Sequence, residues 1–226
     1  MLSRVLEPEV MDSVAEAVDY DSMDHSEVNQ RFVDHLLAAR TAGEGTAERP
    51  VRVLDVGTGT AQIPLELCGR EIPTQVTGID LAAHMLQVGQ RNIIRAGMTS
   101  RVRLEQVDAK DLPYASGSFD WVISNSIVHH IPDPLSCLRE MLRVLAPGGL
   151  WFVRDLLRPP DLETLQHLVR TYAGEANAHQ QQMFDDSLHA ALTLEEVGSL
   201  LTELRVPTEW VTQTTDRHWT IRGRKG

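Results

Sequence analysis

Residues 51–61 read Val-Arg-Val-Leu-Asp-Val-Gly-Thr-Gly-Thr-Ala, and this stretch decides the fold. Its β-branched apolar run predicts a buried parallel strand, and two glycines follow the run at once. Residues 64–68 predict the start of a helix, with Pro64 tolerated in the first turn. A strand, a glycine turn and a helix in succession form the opening unit of a nucleotide-binding α/β sheet.

The polar residues of this unit indicate a binding site. Gly57 and Gly59 permit a tight turn and leave room for a ligand, and Asp55 at the strand end can bind a cationic group. A glycine pair alone is weak evidence, because many sheets turn on glycine for packing. The next predicted strand, residues 75–80, ends in Asp80, about where a carboxylate binds ribose hydroxyls in dinucleotide folds. The alternative is that Asp80 only caps the following helix.

Composition excludes several classes of protein. The 226 residues suit one large α/β domain, and the formal net charge of −11 argues against a nucleic-acid partner. Arg222, Arg224 and Lys225 predict only a solvated basic tail. Cys68 and Cys137 have no metal-ligand spacing, so we expect small buried hydrophobes in a reducing cytoplasm. No apolar run reaches membrane length and no signal-peptide pattern is found, which predicts no membrane span and a cytoplasmic location.

Two helical patterns precede the first strand. We expect residues 1–49 to form an N-terminal helical cap over the core or over a pocket. The apolar positions that predict the inward faces are Val10, Met11, Val14, Ala15 and Val18 in the first pattern, and Val28, Phe32, Leu36 and Leu37 in the second.

The rest of the chain continues the strand and helix alternation and then departs from it. Residues 102–107, 119–125 and 150–155 predict three further strands with helices between them, so a doubly wound parallel sheet is expected. Residues 208–213 and 218–221 predict a closing hairpin, which has no room for a crossover and makes one strand antiparallel. A capping box at Thr193 opens the last helix.

Five segments in order resemble the motifs of class I S-adenosylmethionine-dependent methyltransferases. The segment 119–132 resembles the small-molecule branch that includes the ubiquinone and menaquinone methyltransferases. The resemblance covers roughly residues 51–155 and implies a Rossmann-like, seven-stranded, mostly parallel sheet with an antiparallel last strand and helices on both faces. It also implies a methyltransferase domain over residues 50–226 with a helical insert at about 160–192. The five segments are 53–61, 79–80, 107–109, 119–131 and 145–149.

The same resemblance implies S-adenosylmethionine as cofactor, S-adenosylhomocysteine as product and a small molecule as methyl acceptor. Asp55 and the two glycines would hold the methionine part, Asp80 the ribose, and Asp108 the adenine amino group. Ala61 stands where the family often has a third glycine. The full set of implied cofactor-binding residues is Asp55, Gly57, Gly59, Asp80, Leu81, Met85, Asp108, Ala109 and Asn125.

Methyl transfer from a sulfonium needs a base only when the acceptor arrives protonated. His130 and Asp155 are the expected catalytic residues, and His129, His179 and His189 are further candidates. We expect no metal at His129 and His130, because adjacent side chains point apart and no third ligand is evident. The residues expected on the acceptor side are Tyr20, Arg158, Tyr172, Phe184 and His189.

Two other functions use the same pocket. A nicotinamide-dependent oxidoreductase needs a small residue where this chain has Gln62, which would crowd the helix against the strand. A non-catalytic module that binds S-adenosylmethionine would need the same residues as the enzyme. The acceptor atom (O, N, C or S) and the oligomeric state have no signature in the sequence.

Overall fold

The strands form a single sheet in the computed structural model, which describes residues 2–7, 10, 12–23, 25–41 and 43–226. Its order is β3-β2-β1-β4-β5-β7-β6. Strand β1 pairs in parallel with β2 and β4, and β2 pairs in parallel with β3, whereas β6 and β7 are antiparallel. The predicted fold class is therefore confirmed. The bounds are β1 Val51–Val56, β2 Thr74–Asp80, β3 Val102–Gln106, β4 Phe119–Asn125, β5 Leu145–Leu156, β6 Val211–Gln213 and β7 His218–Arg224.

Eight α-helices and two 3₁₀ turns are found in the part of the chain that the structure describes. None of these helices is long and apolar enough to cross a membrane. The helices are α1 Val14–Ser22, α2 Ser26–Ala38, α3 Gln62–Cys68, α4 Ala83–Arg95, α5 Pro134–Val144, α6 Leu162–Ala173, α7 Ala178–Ala190 and α8 Leu194–Glu203, and the 3₁₀ turns are Val128–His130 and Thr208–Trp210.

The described residues divide into two compact units. The larger unit comprises residues 10–125, 136–153 and 222–226, and the smaller unit comprises residues up to 9, 126–135 and 154–221. The core of the larger unit is built on β1 and β4, where Val53, Trp121 and Ile123 are fully buried, and Phe32 of α2 meets Phe152 edge-on with ring centroids 5.1 Å apart. Nearly continuous burial along these strands follows from apolar side chains on both faces of a covered sheet.

The smaller unit has its own apolar cluster. Leu165 and Leu168 of α6 pack with Leu188 of α7, and Phe184 lies against them. Helix α7 begins at a capping box that the sequence analysis did not identify, in which Asn177 and Gln180 satisfy each other's backbone N–H groups. The predicted capping box at Thr193 is confirmed at the start of α8.

Some local predictions were wrong. Helix α1 forms, but Val14 and Val18 are 61% and 51% exposed, and Ala17 is its buried residue. Met11 of that predicted face lies outside the described residues. The predicted strand 208–213 begins as a 3₁₀ turn, so only its last three residues pair with β7.

The basic tail was predicted to be solvated, but two of its three cations bind other parts of the chain. Arg224 binds Glu44 at 2.7 Å and the carbonyl of Ala39, and Lys225 Nζ donates to the carbonyls of Leu142 and Leu145 at the end of α5. Cations at the C-terminus of a helix satisfy carbonyls that have no partner within the helix. The predicted burial of Cys68 and Cys137 is confirmed.

Candidate functional site

The glycine turn after β1 is held against the end of β2 by backbone hydrogen bonds. The N–H groups of Gly57 and Thr58 both donate to the carbonyl of Ile79 at 2.9 Å. Gly57 and Gly59 have φ values of +74° and +53°, a region that disfavours any side chain. The Gly59 N–H donates to Asp80 Oδ2 at 2.9 Å, so the turn and the end of β2 form one rigid edge.

Ala61 adopts the left-handed conformation, with φ +63° and ψ +24°, at the residue that precedes α3. An alanine there costs about 1–2 kcal/mol relative to a right-handed residue. Its methyl is fully buried, and a Cβ placed on Gly89 of α4 would come within 3.3 Å of it. The third glycine of the family is thus replaced by a residue that keeps the glycine-type backbone, and Gly89 provides the space.

Asp55 is the most unusual group of the larger unit. Only 2% of it is exposed, and among the described residues its Oδ2 has no hydrogen-bond partner. Burial raises the pKa of Asp55 to about 7; the Thr58 hydroxyl opposes this rise, and the charge of Asp80 adds to it. The buried hydroxyl of Thr60 also lacks a partner within the described chain. Buried polar atoms without partners are rare in folded proteins, so this cluster fits a polar or cationic ligand.

Asp80 retains acceptor capacity although its carboxylate supports the turn. Oδ1 accepts from the Ala82 N–H and Oδ2 from the Gly59 N–H, both at 2.9 Å, and each oxygen has a second lone pair. Burial raises the pKa of Asp80, while these amides oppose the rise. Leu81 lies outside α4 and is 36% exposed, whereas Met85 of α4 is buried.

The other expected cofactor residues follow β3 and β4. The carboxylate of Asp108 accepts a hydrogen bond from the backbone N–H of Lys110 at 2.9 Å and lies 3.0 Å from the ammonium of Lys110. Burial acts to raise the pKa of Asp108, but these two contacts lower it overall. Ala109 beside it is buried. Asn125 ends β4, and its buried Oδ1 has no partner among the residues described.

Helix α1 covers the glycine turn. The ring of Tyr20 lies 3.8 Å from the position that a Cβ would take on Gly59, and burial, with the nearby carboxylates, raises the pKa of Tyr20 to about 12. Asp21 fixes the helix, because its Oδ1 accepts from Asn92 at 2.9 Å and from Gln62 at 3.4 Å. The Gln62 side chain is therefore engaged at the start of α3, where a dinucleotide fold needs a small residue.

The smaller unit contains a buried acid–base pair, formed by a histidine of the 3₁₀ turn after β4 and an aspartate near the end of β5. Asp155 is fully buried, and its oxygens accept from the N–H groups of Val128, His129 and Leu156. His129 Nδ1 lies 2.5 Å from Asp155 Oδ1. Burial acts to lower the pKa of His129, but the charge of Asp155 outweighs it and the pKa of His129 is raised. Burial acts to raise the pKa of Asp155, but His129 outweighs it and the pKa of Asp155 is lowered. Asp155 thus orients His129.

Glu7 of the N-terminal segment faces both histidines. Its Oε1 lies 3.4 Å from His129 Nε2 and 3.3 Å from His130 Nδ1, and burial raises the pKa of Glu7. The two imidazole rings lie side by side, with centroids 4.2 Å apart at 33°. The premises that these side chains point apart and have no third group near them were therefore wrong. Arg4 fixes the segment by donating to the carbonyls of His129, Ile131 and Ala190.

The four acceptor-side residues of the smaller unit have contacts that account for them structurally. Arg158 is buried and donates to Glu196 and to the Ala191 carbonyl. Tyr172 is exposed, donates to Asp216 and lies under the Arg217 guanidinium. Phe184 packs in the apolar cluster of α6 and α7, and His189 binds Asp185 of its own helix.

Sequence reasoning missed four residues of these clusters. Thr58 and Thr60 lie within the predicted glycine turn, so their hydroxyls could have been predicted to form hydrogen bonds with a ligand. Arg4 and Glu7 gave no signal, because they belong to no motif and reach His129 across more than 120 residues of chain.

Comparisons with known proteins agree with this geometry. Residues 54–153 match the family described as "Methyltransferase domain". The demethylmenaquinone methyltransferase of Porphyromonas gingivalis is 38% identical over 112 residues, which are 49% of this chain and 45% of that protein. The 27-O-demethylrifamycin SV methyltransferase of Amycolatopsis mediterranei is 29% identical over 206 residues, 89% of this chain and 70% of that one.

Structural similarity extends over most of the chain. A solved S-adenosylmethionine-dependent methyltransferase of Aquifex aeolicus superposes with a TM-score of 0.67 at 17% identity, covering 94% of this chain and 98% of that one. The chain spans about half the length of the first curated relatives it matches.

Residues 54–153 are similar to the methyltransferase domain family, and the sheet has the fold of the solved class of S-adenosylmethionine-dependent methyltransferases. The expected resemblance to the branch with the ubiquinone and menaquinone methyltransferases is confirmed.

The residues present fit the cofactor of this class. The unpartnered Asp55 Oδ2 and the two threonine hydroxyls offer acceptors for an ammonium group, and Asp80 has lone pairs left for ribose hydroxyls. Two apolar side chains follow Asp80 in the sequence: Leu81 is the next residue, and Met85 lies in the first turn of α4.

Proposed function

We propose that this protein transfers the methyl group of S-adenosylmethionine to a small-molecule acceptor. The observation that carries the proposal is the buried carboxylate of Asp55, whose Oδ2 has no hydrogen-bond partner among the described residues, beside a glycine turn that carries the hydroxyls of Thr58 and Thr60. A cationic ligand with hydroxyl groups satisfies these atoms together. S-adenosylmethionine, when bound, supplies an activated methyl for in-line displacement.

The roles of the cofactor residues follow from this proposal. Asp55 and the turn bind the amino-acid end, Asp80 accepts from the ribose hydroxyls, and Asp108 accepts from the adenine amino group beside Ala109. Leu81 and Met85 provide apolar surface for the adenine, and Asn125 offers a polar atom at the end of β4. Residues 1–49 serve as a cap on a domain of residues 50–226, which the contact of Tyr20 with the glycine turn supports.

His129 and His130 are the residues proposed for acid–base chemistry. We propose His130 as the base for an acceptor that arrives protonated, because its side chain is 16% exposed whereas that of His129 is 2% exposed. Asp155 acts through His129 as a positioning residue, since its oxygens are already engaged. Holding the acceptor in line supplies most of the rate, about 7–11 kcal/mol in well-aligned cases.

Cofactor binding is the first test. Calorimetry with S-adenosylmethionine and S-adenosylhomocysteine should give one site per chain, and Asp80→Ala should weaken binding by about 1 kcal/mol or more, the value of a charged hydrogen bond. Glu163→Gln, on the exposed first turn of α6, is the control and should bind like the parent. Tight binding of a nicotinamide dinucleotide with no binding of either adenosyl compound would refute the proposal.

Methyl transfer is the second test, and it separates an enzyme from a binding module. A mass-spectrometric assay can start with the acceptors of the relatives, demethylmenaquinone and 27-O-demethylrifamycin SV, and continue with an extract of small molecules. Methylated product that depends on Asp80 supports the enzyme. A chain that binds the cofactor and methylates no small molecule across the extract would favour the non-catalytic module.

A further inference from the structure

The Glu7, His129 and His130 cluster of the smaller unit has donor atoms arranged like metal ligands. One carboxylate oxygen and two ring nitrogens lie within 4.8 Å of one another. Bonds of about 2.0–2.1 Å to zinc in a tetrahedral site place two ligand atoms about 3.3–3.4 Å apart. The distances from Glu7 Oε1 to His129 Nε2 and to His130 Nδ1 are 3.4 and 3.3 Å, which match this separation.

The surroundings of His129 add a second, independent indication. A histidine that binds metal through one ring nitrogen usually gives the other N–H to a carboxylate, and Asp155 accepts from His129 Nδ1 in this way. That contact directs the lone pair of Nε2 toward Glu7. His129 is 2% exposed, and neither its Nε2 nor Glu7 Oε1 has a hydrogen-bond partner among the described residues.

Charge also favours a cation between these groups. Glu7, which is 12% exposed, and fully buried Asp155 bring two carboxylates to His129, against the guanidinium of Arg4, which binds the His129 carbonyl. A dication balances this excess at the point where the three donor atoms converge.

We propose that Glu7, His129 and His130 bind one first-row transition-metal dication, with Zn²⁺ as the probe. Two imidazoles and one carboxylate suit Zn²⁺ or Cu²⁺ and not Mg²⁺, which prefers oxygen ligands. Three protein ligands leave the fourth position of a tetrahedral site open. The inference goes beyond the proposed methyl transfer: a metal on His130 Nδ1 occupies the lone pair of that ring, so the proposed base role applies to the metal-free chain. The test concerns binding rather than activity and can be made whether or not an acceptor is found.

The test is calorimetry of the tag-free chain with Zn²⁺, with Mg²⁺ titrated in parallel. We expect one zinc per chain, and a dissociation constant that increases about tenfold or more in Glu7→Gln and in His130→Gln. His167→Gln removes an exposed histidine of the same unit and should bind zinc like the parent. Far-UV circular dichroism and the midpoint temperature without metal establish that each variant is folded.

Thermal unfolding gives a second readout. Zinc should raise the midpoint temperature of the parent and of His167→Gln, and should raise that of Glu7→Gln less. Equal zinc affinity in the parent and in both folded variants, or no stoichiometric zinc binding by the parent, would overturn the assignment. Failure of methyl transfer alongside zinc binding would refute only the proposed function.

Discussion

Asp55 shows how a single residue can be unfavourable for the fold and suited to binding. Its carboxylate is buried with one oxygen unpartnered, and burial raises its pKa to about 7. An ammonium group binds the ionised carboxylate, so a proton on Asp55 competes with the cofactor. We therefore expect the affinity for S-adenosylmethionine to increase as the pH rises from 6 to 8. Calorimetry across this range measures the slope, and an Asp55→Asn variant should lose it; a parent with a flat profile would contradict the role of Asp55.

The same residue should affect the stability of the cofactor-free chain in the opposite direction. Between pH 4 and 7 the folded chain keeps a proton on Asp55 that the unfolded chain has released, so this group lowers stability as the pH rises through that window. Asn cannot ionise. Asp55→Asn should therefore raise the free energy of unfolding at pH 8 by on the order of 1–3 kcal/mol and change it less at pH 5. Urea unfolding at the two pH values checks this, and equal effects at both would contradict it.

Single residues were predictable from the sequence when they lay in a local motif. Asp55 and Asp80 lie at the ends of buried strands, and Gly57 and Gly59 come just after the first of these strands, so strand prediction alone places them at one edge. Glu7 could not be predicted, since its contact with His129 depends on tertiary packing of a segment that has no pattern of its own.

At the scale of the element, helix α8 contains a correctable weakness. Gly198 lies in its interior, and a Cβ placed there meets nothing within 4 Å. Glycine within a helix costs about 0.5–1 kcal/mol relative to alanine. Gly198→Ala should raise the free energy of unfolding by that amount and leave cofactor affinity unchanged. Chemical denaturation measures the first quantity and calorimetry the second.

Gly149 of β5 supplies the contrast to Gly198. A Cβ there would come within 2.8 Å of the carbonyl oxygens of Ala146 and Asp120, which cannot withdraw without moving the strand. Gly149→Ala should therefore destabilise the chain. An equal gain in stability from both alanines would contradict the steric argument.

The elements were predicted from periodicity, and the errors have physical causes. The strands of the larger unit were found because both of their faces are apolar. The inward face of helix α1 was predicted wrongly, because two valines that are exposed have the spacing of an inward face. The contacts that hold this helix come from Tyr20 and Asp21. Residues 208–210 have the composition of a strand, but they form a 3₁₀ turn before the hairpin begins.

At the scale of the whole molecule, cofactor binding should stabilise the folded chain by mass action. A ligand at 100 times its dissociation constant contributes about 2.7 kcal/mol. For a chain of this length, about 2–4 °C per kcal/mol is expected, so S-adenosylhomocysteine should raise the midpoint temperature by about 5–10 °C. A thermal scan with and without the compound measures the shift. Asp80→Ala should reduce it at the same concentration, and a nicotinamide dinucleotide should produce none.

The contact between Tyr20 and the glycine turn has a kinetic consequence. The aromatic ring lies over Gly59, and Asp21 ties the same helix to Asn92. A nucleoside bound at this turn would be covered by helix α1, so release of the product requires α1 to move away from the turn. If the proposed methyl transfer is limited by that opening rather than by bond breaking, a pre-steady-state burst of product is the expected signature.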